Sequence, residues 1–217
     1  MKNTKNKPAD QKTVLKVNQP TLKKVIASAL TPPPPERVYR PASVSLLLFG
    51  REETRILAIL KANRQGYTWR NQVALPGGRI EESDADPMQA AVRELKEELG
   101  ISPENVSYAG SLGHFQTLEN TVIEVFAGTW NQQDTIRYDP AEIARVLEIP
   151  LRTVIATHFS NGLHGRLPEM MELLYPFEDL VIWGVTAKIL HFFVEALVPE
   201  LETSGKPLTE HLLENLS

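Results

Sequence analysis

A turn of Pro-Gly-Gly followed by an acidic helix, at residues 76–100, constrains this chain more than any other segment. Asp86 and Pro87 are typical of the N-cap and the first position of a helix. Gly100 is typical of the residue that ends a helix in the left-handed conformation. The segment therefore predicts a helix of about three and a half turns, preceded by a turn and an acid-rich loop.

The two faces of this helix differ in polarity. The apolar positions are Met88, Ala91, Val92, Leu95 and Leu99. On the other side, Glu97 lies about 60° from Glu94, and Glu98 lies about 40° to the opposite side of Glu94. Such like charges destabilise a helix by a few tenths of a kcal/mol per pair. Bound Mg²⁺ or Mn²⁺ would offset this repulsion, because both ions prefer carboxylate oxygens. The alternative is a solvated charged face.

Residues 78–101 resemble the signature of the Nudix hydrolases. In that family Gly is followed by five residues, Glu, seven residues and then Arg-Glu-apolar-x-Glu-Glu-x-Gly-apolar. Gly78 takes the first position, and residues 93–101 match the last block. Asp84 stands where the loop Glu is expected, and eight residues separate it from Arg93. This longer loop with an Asp resembles the coenzyme A diphosphatase branch.

Flanking segments extend the resemblance from about residue 40 to residue 197. Residues 72–74, 142–151 and 182–187 are similar to motifs of the same branch. One segment departs, since residues 58–63 stand where that branch has Leu-Leu-Thr-x-Arg-Ser, a motif associated with coenzyme A recognition. Lys61, Arg64 or Arg70 could take the basic position after a shift, so the sequence leaves the substrate open.

The predicted elements alternate along the chain, which implies a mixed sheet covered by helices. The resemblance makes this an α/β (α+β) fold of the Nudix type, an α-β-α sandwich with a mixed β-sheet. We predict a short helix at 20–30, a long helix at 177–197, and a helical turn followed by an apolar run at 140–148. Strands are predicted at 42–49, 55–61, 71–75, 106–111, 114–116 and 121–129. The domain limits are 1–36 for a polar, basic arm with a short helix and a Pro-rich spacer, 37–200 for the Nudix hydrolase domain, and 201–217 for a C-terminal tail.

The resemblance also implies a site. The expected metal ligands are Glu94, Glu97, Glu98 and the main-chain carbonyl of Gly78. Arg93 is expected to hold the loop acids Glu81 or Asp84 by a bidentate pair. The general base is open between a helix glutamate, Glu97 or Glu94, and Glu142 in a later loop.

Candidate substrate contacts precede the glycine turn. They are Lys61, Tyr67, Trp69 and Arg70, of which the two aromatic residues could stack on a base. The five histidines fit packing or surface positions better than ligand positions. Among them, His158 and His164 are expected in a loop, and His191 on the long helix.

Composition restricts the class of protein. The net charge of −4 argues against general nucleic-acid binding, and the lysines of residues 1–24 are typical of a solvated arm. The chain has no Cys, so it has no disulfide, thiol nucleophile or Cys-ligated zinc. It has no apolar run of membrane-spanning length and no signal-like N-terminus, so we expect no membrane partner and a cytoplasmic location. The long helix could form a homodimer or pack wholly within one chain.

Three functions are compatible with the sequence. The first is a Mg²⁺- or Mn²⁺-dependent diphosphatase of coenzyme A or acyl-coenzyme A, giving 4′-phosphopantetheine and adenosine 3′,5′-bisphosphate. The second is a diphosphatase of ADP-ribose or of a dinucleotide such as NADH. The third is a catalytically silent nucleotide-binding module. The three helix acids favour an enzyme.

Overall fold

The computed structural model describes residues 15–29, 40–66 and 69–202. The helices are α1 (Gln19–Ser28), α2 (Pro87–Leu99), α3 (Leu151–Ser160) and α4 (Gly184–Glu202). The strands are β1 (Arg40–Phe49), β2 (Arg55–Lys61), β3 (Val73–Ala74), β4 (Gly77–Arg79), β5 (Val106–Gln116), β6 (Thr121–Trp130), β7 (Ile143–Pro150), β8 (Tyr175–Phe177) and β9 (Leu180–Ile182).

Strand β1 lies at the centre of a seven-stranded mixed sheet. It runs parallel to β6 and antiparallel to β2 and β4. β5 continues the sheet beyond β6, while β3 and β7 pair with β2. The remaining two strands, β8 and β9, form a separate hairpin.

Helices cover both faces of this sheet. Leu46 and Leu48 of β1 belong to one hydrophobic cluster, and Leu47 and Phe49 belong to another. Alternate residues of a strand point to opposite faces, so the two clusters lie on opposite sides of the sheet. The helices α1, α3 and α4 contribute to the first cluster, and α2 contributes to the second. The predicted α-β-α sandwich with a mixed sheet is thus confirmed.

The short helix α1 packs into the larger cluster. Leu22 and Val25 are fully buried, and α1 contacts α4 and β5. The main-chain N–H of Val17 also donates to the Thr54 hydroxyl at 2.9 Å. The rest of the expected arm and its Pro-rich spacer, residues 1–14 and 30–36, lie outside the described residues, as does most of the expected tail. The domain limits therefore stay a prediction.

Two predicted elements differ in the structure. Residues 106–116 form one strand with two register shifts instead of two strands. The prediction of a helix over 177–197 was wrong at its start, because residues 175–182 form the β8–β9 hairpin and α4 begins at Gly184. Glu178 in the hairpin turn has φ +52°, a conformation that a helix does not contain.

Helix α4 is the longest described helix, with 19 residues. Within the described ranges no helix has the combined length and hydrophobicity that a bilayer span requires. Its apolar face packs within the chain, since Phe193 is fully buried and the ring of Phe192 lies 5.6 Å from that of Phe115.

Candidate active site

Helix α2 has the ends that the sequence predicts. The Asp86 side chain accepts a hydrogen bond from the main-chain N–H of Gln89 at 2.8 Å, and Gly100 has φ +69°. Leu95 and Leu99 are fully buried against the sheet, together with Ala90 and Ala91. Packing of this face fixes the rotation of the helix and turns its glutamates toward a cleft.

The cleft has a volume of about 530 Å³. Its acidic wall consists of Glu81, Glu94, Glu97, Glu98 and Glu142. Its other lining residues include Lys61, Trp69 and the basic side chains of Arg40, Arg64 and Arg79. Volumes of 300–1,000 Å³ are common for small-molecule sites.

Arg93 connects the acidic loop to the helix. Its Nε and one terminal nitrogen each lie 3.0 Å from an oxygen of Asp84, which is the predicted bidentate pair. Its other terminal nitrogen contacts Glu94 at 3.0 Å and Glu97 at 2.9 Å. These bonds lower the pKa of Asp84 and raise that of Arg93. Glu81, the alternative partner, lies at 4.0 Å.

Glu98 is paired with Lys61, which the sequence suggested only as a substrate contact. One oxygen of Glu98 lies 2.5 Å from Lys61 Nζ, and the other accepts from the Gly77 N–H at 2.9 Å. Both side chains are almost fully buried. Glu98 is thus the most fully neutralised of the three predicted acid ligands, and an ion that used it would have to share it with Lys61.

Glu94 lies directly against the glycine turn. A Cβ atom at Gly78 would collide with the Glu94 carboxylate, so the absence of a side chain there makes room for the acid. Burial raises the pKa of Glu94, and the hydrogen bond from Arg93 opposes this effect. A half-buried carboxylate packed against a glycine turn fits a divalent cation, because the cation would stabilise the charged form. The donors on this wall are all oxygens, which suits Mg²⁺ or Mn²⁺.

Glu142 reaches the same cleft from the segment before β7. Its main-chain oxygen accepts from the N–H of Ala62 at 2.9 Å, immediately after β2. Its side chain is exposed at the cleft wall. The structure therefore brings together Glu94, Glu97, Glu98, Glu142, Arg93 and Gly78, which the sequence selected from three separate segments.

The substrate candidates divide into three groups. Lys61 and Trp69 line the cleft, whereas Arg70 is exposed and is not among its lining residues. Tyr67 lies outside the described residues. Arg40 and Arg79 line the cleft and had no sequence prediction, although Arg79 directly follows the glycine turn. No sequence motif around Arg40 indicates a site, because the start of β1 reaches the cleft only once the chain has folded.

The fold and this acidic cleft define an enzyme that acts on a charged small molecule. A family model described as "NUDIX domain" matches residues 39–174, and the chain belongs to this family of hydrolases. The uncharacterized Nudix hydrolase NudL of Photorhabdus laumondii is 28% identical over 168 residues, which cover 74% of this chain and 88% of that protein.

Two further comparisons agree. The human mitochondrial coenzyme A diphosphatase NUDT8 is 29% identical over 171 residues, covering 74% of this chain and 71% of that protein. A mutT/nudix family protein from Listeria innocua has a similar fold, with a TM-score of 0.51 at 16% identity, covering 77% of this chain and 99% of the other. The chain is therefore a Nudix hydrolase, a class that acts on nucleoside diphosphate derivatives.

Proposed function

We propose that this chain is a Mg²⁺- or Mn²⁺-dependent diphosphatase whose substrate is coenzyme A or an acyl-coenzyme A. The observation that carries the proposal is the juxtaposition, in one cleft, of an oxygen-donor acidic wall with three exposed arginines. The similarity to the human coenzyme A diphosphatase supports the choice of substrate.

The arginines supply the charge that such a substrate requires. Coenzyme A carries a diphosphate and a separate 3′-phosphate, so it needs cationic contacts away from the reacting bond. Within the described residues, Arg40, Arg64 and Arg79 make no side-chain ion pair, and all three are exposed. Guanidinium groups bind phosphate oxygens through paired hydrogen bonds.

The acidic wall would hold the metal and the attacking water. Glu94, Glu97 and the Gly78 carbonyl would be the main metal ligands, with Glu98 shared between the ion and Lys61. The bound divalent ion would polarise a phosphoryl oxygen and lower the pKa of water. The water oxygen would form a new bond to phosphorus as the bridging P–O bond breaks.

The proton of that water would pass to a carboxylate, either Glu97 or Glu142. Arg93 would keep Asp84 and the two helix acids in position and would not touch the reacting atoms. Glu142→Gln separates the two bases: if turnover stays near normal, Glu142 is removed from proton transfer and Glu97 remains.

A hydrolysis screen tests the function. The panel contains coenzyme A, acetyl-coenzyme A, dephospho-coenzyme A, ADP-ribose and NADH, each with Mg²⁺ or Mn²⁺. We expect metal-dependent cleavage of the coenzyme A compounds, with turnover reduced at least about 100-fold in Glu97→Gln, because the site would lose a charged metal ligand. Glu104→Gln is the matched control, since Glu104 is exposed on the 3₁₀ turn Pro103–Asn105, away from the cleft.

The other outcomes identify the alternatives. Preference for ADP-ribose or NADH would assign the second substrate class. Absence of cleavage in both the wild type and Glu97→Gln would favour a silent binding module. The human relative's name places that protein in mitochondria, so a cytoplasmic location for this chain stays a prediction.

A further inference from the structure

A second cluster of ligand-type side chains lies outside the acidic cleft. His158 is on α3, His164 is in the following loop, and Glu195 is on α4. Glu195 Oε1 lies 2.6 Å from His158 Nε2 and 3.1 Å from His164 Nδ1. The three donor atoms all lie within 4.8 Å of one another. The sequence assigned these histidines to packing or surface positions. It also placed His158 in a loop, and that placement was wrong, because His158 lies on α3.

The geometry of His158 is that of an oriented ligand. Its side chain is fully buried, and its Nδ1 lies 2.9 Å from the hydroxyl of the buried Tyr175. Metal-binding histidines are commonly fixed by a hydrogen bond to the ring nitrogen that does not bind the metal. Tyr175 provides that bond, which leaves Nε2 facing Glu195.

His191 supplies a second, independent observation. It precedes Glu195 by one helical turn, its side chain is 1% exposed, and its ring lies 5.0 Å from that of His158. Its Nε2 lies 3.2 Å from the carbonyl oxygen of Arg166, which can only accept a hydrogen bond. Nδ1 then carries a lone pair, and it has no hydrogen-bond partner among the described residues. A buried acceptor of this kind is costly unless something occupies the space beside it.

We propose that His158, His164 and Glu195 bind a divalent transition-metal ion, with Zn²⁺ preferred. Two imidazoles and one carboxylate suit Zn²⁺, Co²⁺ or Ni²⁺, whereas Mg²⁺ and Mn²⁺ prefer the all-oxygen acidic wall. The fourth position of a tetrahedral site is then filled by water. This site is separate from the proposed diphosphatase and does not rest on it.

The two donors bonded to Glu195 need little movement to accept the ion. In a tetrahedral site with metal–ligand distances of about 2.0–2.1 Å, neighbouring donors lie roughly 3.3 Å apart. The hydrogen bond between His158 and Glu195 would be replaced by two metal bonds, and the pair would separate by less than about 1 Å. Glu195 also accepts from the N–H of Gly165 at 3.1 Å, so the ion would tie the loop after α3 to α4.

Metal binding by the purified full chain tests this site. The protein is stripped with a chelator, and Zn²⁺ binding is followed by calorimetry and by the metal content after dialysis. Co²⁺ is used in parallel, because tetrahedral coordination gives it intense visible absorption. We expect one tightly bound Zn²⁺ per chain, a rise in thermal midpoint on binding, and the same result in Glu97→Gln, whose change lies in the acidic cleft.

Two variants test where the ion binds without creating a cavity in the hydrophobic core. His164→Ala changes a partly exposed loop residue, and Glu195→Gln keeps the size of the side chain. Each should weaken Zn²⁺ binding at least tenfold and remove the thermal shift, with an unchanged circular dichroism spectrum. His114→Ala, at a histidine on β5, is the matched control and should bind as the wild type does.

Three results would overturn the proposal. The first is no Zn²⁺ binding by the wild type. The second is Zn²⁺ binding by His164→Ala and Glu195→Gln that is as tight as that of the wild type. The third is loss of the bound ion in Glu97→Gln. The first two would make the cluster a hydrogen-bond network alone, and the third would put the ion in the acidic cleft.

Discussion

At the scale of single residues, the acidic wall carries its own counter-charges. Arg93 contacts Glu94, Glu97 and Asp84, and Lys61 contacts Glu98. Repulsion among the helix acids is therefore partly offset within the folded chain, although burial and the charges of Glu97 and Glu98 still raise the pKa of Glu94.

The Arg93–Asp84 pair is predicted to position the acids. Arg93→Lys loses the paired hydrogen bonds of the guanidinium, so kcat should fall roughly 10- to 100-fold, the range seen when partners of metal ligands are changed. KM for the substrate should change much less, which is checked by steady-state kinetics.

Asp84→Asn is the companion variant. Because both changes break one contact, the double variant should be little worse than either single variant. If the fall in kcat of the double variant equalled the product of the two single falls, a shared positioning role would be contradicted.

Two adjacent glycines are predicted to act differently. The atoms nearest to a Cβ at Gly78 are those of the Glu94 carboxylate, the end of a flexible side chain, so Gly78→Ala should keep the thermal midpoint within a few degrees and lose most activity. A Cβ at Gly77, where φ is +146°, meets the backbone of Ser43 and Val44, so Gly77→Ala should destabilise the fold.

Shortening the acid provides a control for Gly78. Glu94→Asp, introduced into Gly78→Ala, should recover part of the lost metal affinity by withdrawing the carboxylate. Thermal denaturation and metal titration measure the two effects. A large loss of stability in Gly78→Ala would contradict the assigned contact.

At this scale, local patterns in the sequence predicted some contacts and missed others. Arg93 and Asp84 lie close together along the chain, and a known motif spacing connects them. Lys61 and Glu98 are 37 positions apart, and their pairing depends on how β2 meets α2. No local sequence pattern indicates that contact between β2 and α2, so Lys61 was predicted as a substrate contact only.

At the scale of elements, α1 acts as part of the core. Leu22 is fully buried, and Lys23 beside it is exposed. We predict that Leu22→Ala lowers the free energy of unfolding by about 2–4 kcal/mol, since it removes buried methyl groups and leaves a cavity. Lys23→Ala should change it by less than about 0.5 kcal/mol.

Urea denaturation measures both values. A single transition that shifts in Leu22→Ala would show that α1 unfolds with the sheet. An unchanged midpoint would mean that α1 detaches before the domain unfolds.

Asp134 holds the segment after β6 in place through three hydrogen bonds. Its carboxylate accepts from Trp130 Nε1 at 3.0 Å, from the Asn105 amide at 2.9 Å and from the Ser102 N–H at 3.2 Å. Burial alone would raise the pKa of Asp134, but these hydrogen bonds hold it below the usual 3.8. Its contribution to stability is therefore complete above that unfolded-state value and is lost as the pH falls through the lower folded-state value.

The predicted consequence is a stability difference that depends on pH. Asp134→Asn loses the bond from Trp130, so the variant should be less stable at pH 7 by about 1–3 kcal/mol. The difference from wild type should shrink toward pH 3. Urea midpoints at both pH values check this, and an equal difference at the two would contradict it.

The predicted elements succeeded where their ends carry a chemical signal. Helix α2 has Asp86, Pro87 and Gly100, and its limits were predicted to the residue. Helix α3 begins after Pro150 without a side-chain cap, and no helix was predicted there. The start of α4 was missed because the β8–β9 hairpin is also apolar.

At the scale of the whole molecule, the helix acids and the histidine cluster are carried by helices on opposite faces of one sheet. Helix α2 packs in the smaller hydrophobic cluster and carries the acids, whereas α3 and α4 pack in the larger one and carry the histidines. The fold class and the acidic site were predictable, because the sequence of the single helix α2 contains both the apolar positions that pack on the sheet and the glutamates of the site. The histidine cluster was not, because its members meet only after α3 and α4 pack.

The position of Lys61 has a consequence for how this protein can evolve. The lysine lies at the end of β2, while the acid that it neutralises lies on α2. A single codon change at position 61 would therefore alter the charge of the site while the acidic helix stays intact. Loss of this lysine would leave Glu98 as a buried carboxylate without its counter-charge, so a new ionic requirement reached by this route would come with a less stable fold.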